Sequence, residues 1–176
     1  MSESKSEPQK NNFKVASTSV MCDDVIMSGS VTIGSNNVFN HKCKILAETA
    51  PIIFGEGNVV EEHAVIINRS NTPMIIGNEN YIESGAYVES SSIGNQNHIE
   101  PKARILSGTV IHNSTVVGAN CYTEPGSVLE DLTTIYGDNN TRRKQYKQSF
   151  LNFHHHHLHF LRKVLDKSKS RKSRTS

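Results

Sequence analysis

The chain has 176 residues, 35% of them hydrophobic and only 6% aromatic, with no tryptophan; this is the size of one modest domain and excludes a core built on large buried rings. Its formal charge of +2 is unevenly spread: residues 1–140 carry a balance of −8 and residues 141–176 a balance of +10. No apolar run approaches the roughly 18 residues of a membrane span, and Cys22, Cys43 and Cys121 lack the spacing of a zinc knuckle or a disulfide framework.

Residues 1–12, MSESKSEPQKNN, are too polar for a signal peptide and are expected to be a disordered N-terminus of an intracellular protein with buried thiols. From residue 13 to residue 140 a period of six takes over. Large apolar residues recur at Val15, Met21, Met27, Ile33, Phe39 and Ile45, then at Phe54, Val60 and Ile66, then at Ile76, Ile82 and Val88. A last run holds Ile93, Ile99, Ile105, Ile111, Val117, Thr123, Leu129 and Ile135. Four residues after each, the side chain is small or an amide, as at Cys43, Ala64, Ala86, Ala103 and Cys121. Neither a helix period nor a two-residue alternation gives this spacing.

The period breaks after Ile45, Ile66 and Val88, each time after a multiple of three hexads. Every third hexad also has its own spelling. Ile33, Phe54, Ile76 and Ile93 are followed by Gly34, Gly55, Gly77 and Gly94, and four residues on by Asn37, Asn58, Asn80 and Asn97. The chain therefore returns to an equivalent environment about every 18 residues. Three short strands per turn predict a triangular prism of about seven coils, an all-β solenoid with strands stacked about 4.8 Å apart in a rod about 33 Å long. Asn37, Asn58, Asn80 and Asn97 are read as a structural ladder of stacked amides, and the four glycines as corner residues where a side chain would oppose the backbone. The pattern leaves handedness open, and the general rule for parallel crossovers favours right-handed coils.

From residue 141 a helical period replaces the hexads, with Tyr146, Phe150, Phe153, Leu158, Leu161 and Leu165 approximating one face. The expectation is a C-terminal α-helix over 141–167 packed on the solenoid as an atypical end, then a disordered basic tail over 168–176. The excess positive charge suits nucleic acid or anionic lipid, or folding back on the acidic body; the apolar stripe favours the second. The run His154 to His157, with His159, lies inside this helix. Only an i, i+4 pair such as His155 and His159 points the same way to share a metal, and titration of the cluster would modulate docking.

Segments 31–48 (VTIGSNNVFNHKCKILAE), 51–68 (PIIFGEGNVVEEHAVIIN) and 73–90 (PMIIGNENYIESGAYVES), the late TTIYGDNNTRR and the histidine-rich helix resemble the dynactin subunit 6 family across residues 15–167. The resemblance implies a left-handed parallel β-helix of hexapeptide repeats. It further implies a subunit of the dynactin pointed-end complex in the cytoplasm and cytoskeleton. There it would pair with dynactin subunit 5, contact other pointed-end subunits including an actin-related protein, and support dynein-dependent cargo attachment and microtubule-based transport.

Two enzymatic readings compete. Gamma-class carbonic anhydrases share the coil grammar and hold zinc through a His-x4-His pair and a third histidine. Of the body histidines His41, His63, His98 and His112, no two are five apart, and the position five after His98 is Ala103; losing the pair removes the metal-activated water. A hexapeptide acyltransferase acting on a CoA thioester needs one histidine as general base, for which His41, His98 and His112 qualify by type. The long loop that often covers such substrates is missing, and the largest interruption is 68–73. The expectation is therefore a non-catalytic scaffold with no catalytic, metal or cofactor residues, no nucleic acid partner, and association through flat prism faces. Partner choice would lie in exposed charges such as Glu56, Glu61, Glu62, Glu83 and Glu89.

Overall fold

The computed structural model describes residues 10–144 and 151–172, with helix side chains described for 154–165. Each hexad but that of Thr123 forms a strand of two to four residues, and the strands stack into three parallel sheets. The first face comprises Asn12–Val15, Ser30–Ile33, Ile52–Phe54, Met74–Ile76, Ser92–Ile93, Val110–Ile111 and Val128–Leu129. The second comprises Val20–Met21, Val38–Phe39, Val59–Val60, Tyr81–Ile82, His98–Ile99, Val116–Val117 and Thr133–Tyr136. The third runs Ile26–Ser28, Lys44–Ala47, Val65–Asn68, Tyr87–Val88 and Arg104–Ile105, extended by a bridge from Arg104 to Tyr122. Register places Ile33 over Phe54, Phe54 over Ile76 and Ile76 over Ile93, so the large residue of each hexad stacks on its equivalent one coil away.

This stacking makes the core a narrow aliphatic column. Phe39, Ile45, Val60, Ile66, Ile82, Val88, Ile99 and Ile105 are fully buried, as are Cys43, Ala64, Ala86 and Ala103 at the constricted inner corners. A corner leaves room for one large and one small residue per hexad, which is why the pattern needs no tryptophan. Phe39 packs edge-to-face on Phe54 within this column, ring centroids 5.1 Å apart. The breaks after Ile45, Ile66 and Val88 all fall where the third face passes to the first. Corners close through left-handed residues such as Asn36, Glu79, Gln96 and Ser114, with φ between 55° and 60°. That conformation disfavours ordinary side chains, and the ladder compensates by running through the corners: Glu79 donates to the Glu56 carbonyl, Gln96 to Asn78 and Ser114 to Asn95.

The rod is a left-handed parallel β-helix. The right-handed rule describes long crossovers packed back on an open sheet, whereas each crossover here is two sides of a closed triangle. The chain's ends also depart from expectation. Asn12 already belongs to the first strand, and residues 1–9 lie outside the described residues. Residues 141–144 form no helix: Thr141–Lys144 is a strand folded antiparallel onto Thr133–Tyr136. The turn Gly137-Asp138-Asn139-Asn140 permits this, because Gly137 and Asn140 both take positive φ. The helix runs Leu151–Lys172, past the boundary at 167; residues 145–150, including Tyr146 and Phe150, and 173–176 lie outside the described residues.

Candidate interaction surfaces

At the corner between the first and second faces, Asn37, Asn58, Asn80 and Asn97 are buried in one continuous ladder. The Asn58 amide and Nδ2 both donate to Asn37 Oδ1 at 2.8 and 2.9 Å, Asn80 repeats this onto Asn58 and Asn97 onto Asn80, and Thr115 N–H closes the run on Asn97 Oδ1. Each Nδ2 also donates to a corner carbonyl, from Gly55 for Asn37 to His112 for Asn97. The corner glycines serve this closeness and carry no positive φ. A Cβ on Gly77 would lie 2.5 Å from the Gly94 carbonyl oxygen, and Gly34 and Gly55 meet the next coil's backbone in the same way.

A second, outer ladder escaped the sequence reading. Asn78, Asn95 and Asn113 each accept the backbone N–H at the equivalent position of a neighbouring coil, and Asp131 ends the run by accepting from Asn113. The Asn113 amide bonds hold the Asp131 carboxyl below its usual range. Its signal was present: the second residue after the large apolar one is Asn, Asn, Asn and Asp in four successive coils.

The helix covers the second face. Outward residues Val20, Val38, Val59 and Tyr81 are buried beneath Leu158, Leu161 and Leu165. Burying four such side chains stabilises docking by about 1.5–3 kcal/mol each as an upper estimate. Histidines fix the register. His154 is fully buried with Nε2 2.8 Å from the Gly57 carbonyl oxygen, His155 meets Glu79 at 2.7 Å, and His157 sits 3.2 Å from both Glu61 and the Tyr81 hydroxyl. Burial lowers the His154 pKa. Glu79 is held low by its bond from Gln96 and then by His155. Tyr81 is pushed up by burial and by Glu61 and Glu83. Among the described residues, the helix meets the acidic carboxylates of the body through the imidazoles of His155 and His157.

The other two faces differ in character. On the third, Arg69 bonds Glu48, Glu89 and the Tyr87 hydroxyl, and Arg104 lies over the Tyr87 ring. The first face is uncharged outward of Lys14: Thr32, Ile53, Ile75, Ser92, Val110 and Val128 point to solvent, Ile75 45% and Val128 50% exposed. Of the five carboxylates expected to select partners, Glu61, Glu83 and Glu89 are engaged within the chain, and Glu56 and Glu62 stay exposed.

Among the described residues no three His, Cys, Asp or Glu are placed to hold a metal. His63 is exposed, His98 pairs with Glu83 and stacks on Tyr81, and His41 meets Asp24. His112 borders a shallow groove of about 430 Å³ on the first face, 3.7 Å from Glu130. The three cysteines are buried and form no disulfide, and burial pushes the Cys43 thiol up to about 12, away from nucleophilic use. No helix of the described residues is long and apolar enough to cross a membrane.

No family model matches the chain. It is 34% identical to dynactin subunit 6 of Danio rerio over 148 residues, 77% of this chain and 76% of that one. Against dynactin subunit 6 of Xenopus tropicalis the identity is again 34%, over 156 residues, 81% of this chain and 78% of the other. A hexapeptide transferase family protein from Anaplasma phagocytophilum superimposes with a TM-score of 0.76 at 14% identity, covering 88% of this chain and 92% of that one. At that identity the likeness is one of fold.

Proposed function

The chain belongs to the dynactin subunit 6 family, and on that premise we propose that it is a non-catalytic scaffold subunit of the dynactin pointed-end complex. In this reading it pairs with dynactin subunit 5, contacts further pointed-end subunits including an actin-related protein, and supports dynein-dependent cargo attachment along microtubules in the cytoplasm. The observation that carries the reading is the first face, a flat uncharged strip with Ile53, Ile75, Val110 and Val128 outward that the described part of the helix leaves uncovered. A face about 29 Å tall and 16 Å wide buries on the order of 1,000 Å² across two partners, near the lower bound of a specific interface. Apolar patches of this kind on a rigid sheet mark protein contacts.

The test is affinity capture from cell lysate of the tagged chain and of an Ile75→Glu, Val110→Glu double variant. Both positions point outward, so the variant should melt within a few degrees of wild type while losing the actin-related subunit. Equal recovery by both proteins would remove the first face from the account. The second reading, a hexapeptide acyltransferase acting on a CoA thioester, draws on His112 beside Glu130 at the rim of the groove. It predicts acetyl-CoA turnover that His112→Ala abolishes.

A further inference from the structure

The two ends of the prism are built differently. At the C-terminal end the second face is closed by Thr141–Lys144, an antiparallel strand that places Arg142, Arg143 and Lys144 across the edge. Charged residues on an edge strand discourage further pairing. At the N-terminal end the edges are open among the described residues. Asn12–Val15, Val20–Met21 and Ile26–Ser28 are each the terminal strand of their sheet, so three edges end at one level around the triangle.

The open end exposes core. Phe13 and Val15 pair in register with Val31 and Ile33, both inward and buried, so they occupy core positions. They are nevertheless 42% and 44% exposed, because among the described residues no coil lies beneath them. Met21, Val25 and Met27 are packed on the core cluster and only partly buried. Backbone groups follow the same geometry. Asn12, Ala16, Val20, Cys22 and Ile26 donate their N–H to the next coil. Alternation along a strand then directs the N–H and C=O of Phe13, Val15, Met21 and Met27 away from the prism. One set of residues thus presents an apolar plug and the donors and acceptors of three strands.

A solenoid needs a polar terminal cap. Residues 1–9, MSESKSEPQ, lie outside the described residues, and Met1 and Pro8 are their only apolar side chains. A single extended peptide would complete one edge and leave the other two and the plug open. What matches all three edges together is another triangular coil.

We infer that the N-terminal end of the prism docks the terminal coil of a second parallel β-helix, continuing the three sheets across the junction. This rests on the pairing with dynactin subunit 5 proposed above, takes that partner to be a second hexapeptide β-helix, and assigns the pairing to the end and not to the first face. The end is small, and its specificity comes from matching three edges at once.

The test uses the full chain and purified dynactin subunit 5. In the wild-type complex, hydrogen exchange should slow at the amides of Phe13, Val15, Met21 and Met27. A Phe13→Asp, Val15→Asp variant should melt within a few degrees of wild type and bind at least 100-fold more weakly, while still capturing the actin-related subunit through the first face. Should the variant unfold, exchange in the wild-type complex decides alone. A complex without protection at these four amides, or protected only at Phe13 and Val15, overturns the end-coil inference and leaves the pairing standing. Absence of any wild-type complex overturns both.

Discussion

Asn58 carries the clearest residue-scale consequence. Its side chain accepts two bonds from Asn80 and donates to Asn37 and to the Gly77 carbonyl, all inside the prism. Replacing it by Ala leaves buried donors and acceptors on both neighbouring coils, at about 1–3 kcal/mol per group. Asn58→Ala should therefore lower stability by about 3 kcal/mol or more in chemical denaturation. Asn78 serves the outer ladder and is exposed, so water replaces its carbonyl there; Asn78→Ala should cost under about 1 kcal/mol. Equal losses would mean that the inner ladder is not sealed from solvent. The difference between these ladders also bounds what the sequence disclosed. Inward positions are dictated by packing, so the column from Ile33 to Leu129 could be read directly. The run of Asn78, Asn95, Asn113 and Asp131 was as regular, but an exposed polar residue at a turn has too many ordinary explanations to stand out.

At the scale of elements, the helix on the second face is the part that responds to pH. Burial disfavours the charged form of His154, so its folded-state pKa lies below the ordinary histidine value of 6.5. The unfolded or undocked form then binds more protons, and this contribution is complete above pH 6.5 and is lost as pH falls. Glu79, depressed from 4.5, acts in the same direction at lower pH. Amide exchange over residues 154–165 should therefore accelerate from pH 8 to pH 5.5 after correction for intrinsic chemistry, and His154→Phe should flatten that slope. An exchange rate independent of pH in wild type would contradict the role given to His154. Leu158, Leu161 and Leu165 could be read from a helical period, whereas the contacts of His154 to Gly57 and His155 to Glu79 join residues 97 and 76 positions apart. No local signal encodes such pairings. Thr141–Lys144 misled for a related reason: TRRK has weak strand propensity, and only the free edge of Thr133–Tyr136 makes it a strand.

Across the whole molecule, the C-terminal helix docks on the acidic second face through Leu158, Leu161 and Leu165 and through His154, His155 and His157. What remains for partners is geometric: an apolar first face, a third face ordered by Arg69, and an N-terminal end with three free edges. The coil grammar made the rod legible, because a period of three hexads admits few other shapes. The open end was not legible, since Phe13 and Val15 spell an ordinary hexad and become exceptional only for want of a neighbour beneath them. These surfaces suit a rigid spacer held among other subunits. The most direct test is capture of the tagged chain from cell lysate, followed by sizing, mass spectrometry and an acetyl-CoA turnover assay. The account predicts a large assembly containing the actin-related and other dynactin subunits, with no turnover. A lone homotrimer that consumes acetyl-CoA would contradict it.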